Sequence, residues 1–186
     1  LDIEMIAPDH GLIWRSHVHT ILKAYQDYAE QRPQNKAVIV YDTMWQSTEK
    51  MAKAIAEGIM EEGVAVKIMH LKEYHHSDVM AELATATGIV CGSPTHNNNI
   101  MPLVANFLTY MQGLRPLGRV GAAFGSFGWS GECVNIIGDW LQEAKVELVE
   151  PGVKTKYVPN HESLAECKEL GRQVAKAIKA KVEAAQ

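Results

Sequence analysis

The chain has 186 residues, enough for one domain with some length to spare. Hydrophobic residues at 47% against 22% charged describe a globular chain with a buried core, which excludes a disordered one. A net charge of −4 with no basic stripe argues against a nucleic-acid binder, and no apolar run reaches the roughly 18 residues of a transmembrane helix.

The three cysteines, Cys91, Cys133 and Cys167, are odd in number, widely spaced and form no CxxC pair. That argues against a disulfide framework or a thiolate zinc site, and a reducing cytoplasm is the expected compartment. No charged-then-apolar signal segment opens the sequence.

Residues 1–35 stand apart from the rest. Residues 3–7 read as a strand, Pro8-Asp9-His10-Gly11 as a turn and residues 17–31 as a helix. Residues 31–35 (QRPQN) are polar, contain a proline and read as a linker. From Lys36 onward, strands and helices alternate. Residues 37–41 (AVIVY) form a β-branched apolar run, the mark of a strand buried on both faces. A helix over 47–62 follows, with Met51, Ile55 and Ile59 on one face, and Gly63 ends it. Residues 64–69 read as a second strand and 77–84 as a short helix. The third strand, 88–91 (GIVC), stops at Gly92-Ser93-Pro94, because proline lacks an amide donor. A helix over 101–112, a strand over 120–124 and a helix over 131–144 come next. A fifth strand begins at 146–149, and a long amphipathic helix covers 163–184.

Five strands separated by helices require parallel pairing with helical crossovers. Right-handed crossovers then build an α/β doubly wound sheet in three layers, with ligands at the carboxyl ends of the strands. Three loops at those ends carry the chemistry. After the first strand comes Thr43-Met44-Trp45-Gln46-Ser47-Thr48, directly before a helix. Helix amides and about half a positive charge suit a phosphate there, and the hydroxyls add donors. The loop has no lysine or arginine and is not a GxxxxGK[ST] loop, so a phosphate monoester fits better than a triphosphate. Capping of the helix by Ser47 or Thr48 is the plainer alternative. After the third strand, Pro94-Thr95-His96-Asn97-Asn98-Asn99 offers amide donors and acceptors for the polar edge of a heterocycle, or makes a solvated turn. After the fourth, Ser126-Phe127-Gly128-Trp129-Ser130-Gly131 combines glycines that admit a ligand with aromatics that want a flat ring to stack on. Trp45 is a second stacking candidate.

This arrangement resembles flavodoxin, the FMN-binding example of the doubly wound fold with strand order 2-1-3-4-5. It is more closely similar to the C-terminal flavodoxin-like domain of flavodiiron proteins, or A-type flavoproteins. Tyr41-Asp42-Thr43-Met44-Trp45 with Ser47-Thr48-Glu49-Lys50-Met51-Ala52 looks like their phosphate loop. Gly92-Ser93-Pro94-Thr95 and Gly125-Ser126-Phe127-Gly128-Trp129-Ser130-Gly131 look like their two isoalloxazine loops. The leader matches as well. Ala7-Pro8-Asp9-His10-Gly11-Leu12-Ile13-Trp14-Arg15 resembles the segment that ends their metallo-β-lactamase-like domain, with His10 at the position of an iron ligand.

The resemblance implies residues 1–35 as the tail of a diiron domain plus linker, and 36–186 as an FMN domain. It implies an oxidoreductase that reduces nitric oxide to nitrous oxide, dioxygen to water, or both. A rubredoxin-like, flavin or deazaflavin donor would supply electrons, and a head-to-tail homodimer or dimer of dimers would bring FMN beside the partner's iron. The family's other iron ligands have no counterpart in this sequence, so the chain is expected to be the C-terminal part of a larger protein or one piece of a split or cleaved one. A free-standing flavodoxin-type carrier and a flavodoxin-like quinone reductase are the alternatives. A signalling receiver is disfavoured, because Asp42 has no acidic neighbour and the third strand ends in Gly-Ser-Pro. His17, His19, His75 and His76 read as solvated side chains, and Cys91 as a small core residue.

Overall fold

The computed structural model describes residues 2–149 and 152–185. The chain divides into two compact units, Leu1–Arg32 and Pro33–Gln186.

In the first unit, the N–H groups of Ile6 and Trp14 donate to each other's carbonyls at 3.1 and 2.9 Å. This single antiparallel bridge stands where a longer strand over 3–7 was expected. Between them Gly11 takes φ +124°, a conformation that side chains disfavour. Helix α1, Val18–Glu30, follows, and His17 and Gln31 flank it in left-handed conformations. The expected helix therefore forms one residue shorter at each end.

The second unit is the doubly wound sheet. Its elements are β1 (Lys36–Tyr41), α2 (Ser47–Glu61), β2 (Ala65–His70), α3 (His76–Leu83), β3 (Gly88–Gly92), α4 (Pro102–Leu114), β4 (Val120–Phe127), α5 (Cys133–Glu143), β5 (Glu147–Leu148), β6 (Val153–Lys156) and α6 (His161–Ala184). The strands lie in the order β2-β1-β3-β4-β5, all parallel, with β6 also paired to β4. The fifth position of the sheet is thus filled by two short segments in succession. Glu147 and Leu148 sit against Val120 and Gly121, while 153–156 run along 124–127. This extends the sheet toward the carboxyl end of β4.

Apolar side chains on the two sheet faces make two cores. Val38, Val40, Ile89 and Cys91 pack with Phe107 and Ile137 on one side. Ile39, Val90 and Phe124 pack with Ile55, Val174 and Ile178 on the other. The alternation of Val38/Val40 against Ile39 shows directly why β1 is apolar from Ala37 through Val40: each face meets a helical layer. Glycine lets α2 and α6 touch backbone to backbone. A Cβ on Gly58 would collide with the Lys168 carbonyl, and one on Gly171 with that of Ile55. At the edge of the sheet, Glu82 bridges Lys36, at 2.6 Å, and Lys67. None of the described helices is long and apolar enough to cross a membrane.

Candidate functional site

The carboxyl ends of β1, β3, β4 and β6 surround a cleft of about 410 Å³, a size within the range of cofactor sites. Hydrogen bonds carry the sheet pairing past the strand ends and hold the loops side by side. The Ser93 N–H donates to Phe124 O at 3.2 Å, Thr95 N–H to Ser126 O at 2.8 Å, and Tyr157 N–H to Phe127 O at 2.7 Å. Gly125 is required at this point, because a Cβ there would collide with Ser93 O beneath the loops. Cys133 is buried below them, and desolvation pushes its thiol pKa up, so it stays protonated and unreactive.

From the first loop Thr43, Met44, Trp45 and Ser47 line the cleft; from the second, Pro94 and Thr95; from the third, Ser126, Phe127, Gly128 and Trp129. A neighbouring hollow is lined by His96, Asn97, Asn98 and Ser130, with Thr95, Gly128 and Trp129 shared between the two. Asn97 and Asn98 adopt left-handed backbone (φ +50° and +56°), which asparagine tolerates better than most residues. The remaining expected residues play supporting parts. Gln46 (φ +65°) turns the chain into α2, and Gly131 (φ +139°) turns it toward α5. Asn99 pairs with His96 and accepts from the Ile100 N–H. Thr48 is fully buried, with its hydroxyl 3.3 Å from that of Ser126, tying the first loop to the third. His10 is exposed in the first unit.

Two residues of the cleft wall were not anticipated. Tyr157 and Val158 follow β6 and are 60% and 63% exposed. The signal was an aromatic before Val-Pro-Asn at the end of the fifth sheet position, obscured because that position is split. Tyr157 also takes φ +61°, rare for an aromatic.

The chemistry of these walls is specific. Helix α2 starts at Ser47 without any side-chain cap, so neither Ser47 nor Thr48 fills the capping role. Its first amides are left for a ligand. The hydroxyl Oγ1 of Thr43 is buried and has no protein partner, a costly arrangement unless a ligand completes it. Trp45 and Trp129 are 87% and 94% exposed and stand on loops that border one cleft. A phosphate at the helix terminus with a flat ring between aromatic walls satisfies all three features.

Iron is a different matter. Among the described residues no three His, Cys, Asp or Glu side chains come together as a metal would require, and His10 alone falls short of a diiron ligand set. His75 and His76 are not merely solvated. His75 caps α3 by accepting from the Ser77 N–H, and the His76 ring lies 3.8 Å from that of His75 and 4.3 Å from that of Tyr110.

Residues 39–171 match the flavodoxin family model. The chain is 46% identical over 183 residues to a rubredoxin-oxygen oxidoreductase of Megalodesulfovibrio gigas, covering 97% of this chain and 46% of that protein. It is also 46% identical over 176 residues to a nitric oxide reductase of Moorella thermoacetica, covering 94% and 44%. The solved flavodiiron protein of Giardia intestinalis superposes on all of this chain, and on 46% of its own, with a TM-score of 0.94 at 27% identity. The chain spans less than half the length of these relatives. The likeness extends through residues 1–32 as well as the sheet, and a flavodoxin domain implies FMN as its cofactor, which the cleft suits. The chain belongs to the flavodoxin family, in the form that flavodiiron proteins carry.

Proposed function

We propose that this chain is the FMN-binding electron-transfer part of a flavodiiron oxidoreductase that reduces nitric oxide, dioxygen or both at a diiron centre. The observation that carries the reading is the pairing of an uncapped helix start and an unpartnered Thr43 hydroxyl with two exposed tryptophans on one cleft. FMN, when bound, supplies one- and two-electron transfer; the residues here bind and orient it. Thr43, Ser47 and the first amides of α2 hold the phosphate. Trp45 and Trp129 flank the ring and shield it from water. Thr95, His96, Asn97 and Asn98 contact its polar edge, Asn99 and Gly131 shape the loops, and Tyr157 closes the remaining side.

Residues 1–35 belong, in this reading, to the end of a metallo-β-lactamase-like diiron domain, with His10 as one ligand. Exposed apolar side chains in the first unit support it: Leu12 is 79% exposed, Ile13 50% and Tyr25 67%, as expected of a surface that another part of a domain covers. The electron donor is a rubredoxin-type protein, in keeping with the names of the relatives. A second subunit, head to tail, brings its iron to this FMN, and the assembly works in the cytoplasm.

The iron-to-flavin ratio of the native assembly, with every co-purifying chain kept, tests the proposal. About two irons per FMN, with turnover of nitric oxide or dioxygen, is the expected result. Flavin without iron and without turnover would refute it.

A further inference from the structure

At the end of β1 a buried carboxylate stands directly beside the loop assigned to the phosphate. Asp42 is 1% exposed. Its Oδ1 accepts from the Thr43 N–H at 2.7 Å and lies 3.3 Å from His70 Nε2 and 3.6 Å from Lys72 Nζ. Lys72 Nζ also donates to the Thr43 carbonyl at 3.1 Å. Both main-chain polar groups of Thr43 therefore end on side chains instead of a strand ladder. The β1–β2 register sets Tyr41 opposite His70, whose ring stacks on Tyr41 at 5.0 Å and 11° and is held in place by it.

A buried carboxylate is costly, and beside an anion site it is doubly unfavourable unless a cation offsets it. Lys72 is the cation in direct reach, and the loop itself has none. The return on this arrangement is geometric. With its N–H and C=O both fixed, the Thr43 backbone is held in place, and its hydroxyl, like Asp42 Oδ2, is a buried polar group with no protein partner.

Building on the FMN assignment above, we infer that Asp42 and Lys72, braced by His70, are positioning residues for the flavin phosphate: they fix Thr43 against it and set the preference for FMN over riboflavin. The two flavins share the ring and differ at the phosphate, so the clamp acts on one and not the other.

Apoprotein of the full chain is titrated with FMN and with riboflavin, comparing wild type with Lys72→Met, Asp42→Ala, Asp42→Asn and the Asp42→Ala/Lys72→Met pair. Loss of a charge-assisted hydrogen bond predicts about tenfold weaker FMN binding in Lys72→Met and Asp42→Ala, with riboflavin affinity within about twofold of wild type. Asp42→Asn keeps an oxygen for the Thr43 N–H and recovers most of the loss. The double variant falls no further than the worse single one, because both changes break one unit. The 31P resonance of bound FMN moves in Lys72→Met and Asp42→Ala, and returns in Asp42→Asn. Lys72 is half exposed, so its variant folds and decides the matter even if Asp42→Ala does not. Equal losses for both flavins, unchanged FMN affinity, an unmoved 31P resonance, or additive losses in the pair would each overturn the clamp. Wild type that binds neither flavin would overturn the FMN assignment itself.

Discussion

Trp129 offers a perturbation whose effects on folding and on binding separate cleanly. It is 94% exposed, so truncation to alanine removes almost no packing from the folded chain. A ring stacked on FMN buries one face, roughly 100 Å² or half the area of an aromatic side chain. At about 25 cal/mol per Å² this amounts to about 2.5 kcal/mol, in line with base–aromatic stacking energies of about 1–3 kcal/mol. Trp129→Ala should therefore weaken FMN binding about 70-fold while the melting temperature of the apoprotein stays where it was. Quenching of flavin fluorescence measures the first quantity and circular dichroism the second. An FMN affinity within about twofold of wild type, or a lowered apoprotein melting temperature, would show that Trp129 is not a ring-stacking wall.

Acidic replacement of Ser47 and Thr48 together places two carboxylates at the start of α2 and should abolish FMN retention; undiminished flavin content would remove the phosphate-loop assignment. Gly171→Ala drives a methyl into the Ile55 carbonyl and should cost about 1–3 kcal/mol, several degrees of melting temperature. Gly113→Ala, with nothing within 4 Å of the added Cβ, should instead gain about 0.5–1 kcal/mol, and equal shifts in thermal melts would contradict the close approach of α2 and α6. Hydrogen bonds from Lys36 first, then Lys67, hold the Glu82 carboxyl below its ordinary value of 4.5. Its folded-state pKa is depressed, so its stabilisation is complete above that ordinary value and is lost as pH falls through the lower folded one. Denaturant melts should accordingly show Glu82→Gln weaker than wild type by about 1 kcal/mol at neutral pH, with the gap closing in acid; a gap constant from neutral to acidic pH would refute the assignment.

The sheet was legible because its strands are apolar on both faces and glycine or proline stops them. Trp45 and Trp129 were legible because an aromatic at a strand end has nowhere to be buried except against a ligand. The fifth sheet position was only half legible: residues 146–149 (VELV) carry the apolar signal, whereas 153–156 (VKTK) lie on the edge with one buried residue, Thr155, and read as polar. Tyr157 and Val158 were lost with them. Helix α6 starts at His161, two residues before the apolar periodicity begins, because Asn160 caps it through the Ser163 N–H. The Asp42–His70–Lys72 cluster leaves no trace in local pattern, since its members meet only through the register of two strands 28 residues apart in the chain.

The central claim is that this cleft holds one FMN by its phosphate and ring together. Its most direct test is the stoichiometry of flavin bound to the reconstituted full chain, read by absorbance after removal of free ligand. One FMN per chain, lost when Ser47 and Thr48 are made acidic, is the predicted result. No bound flavin, or flavin retained in full by that variant, would contradict the account.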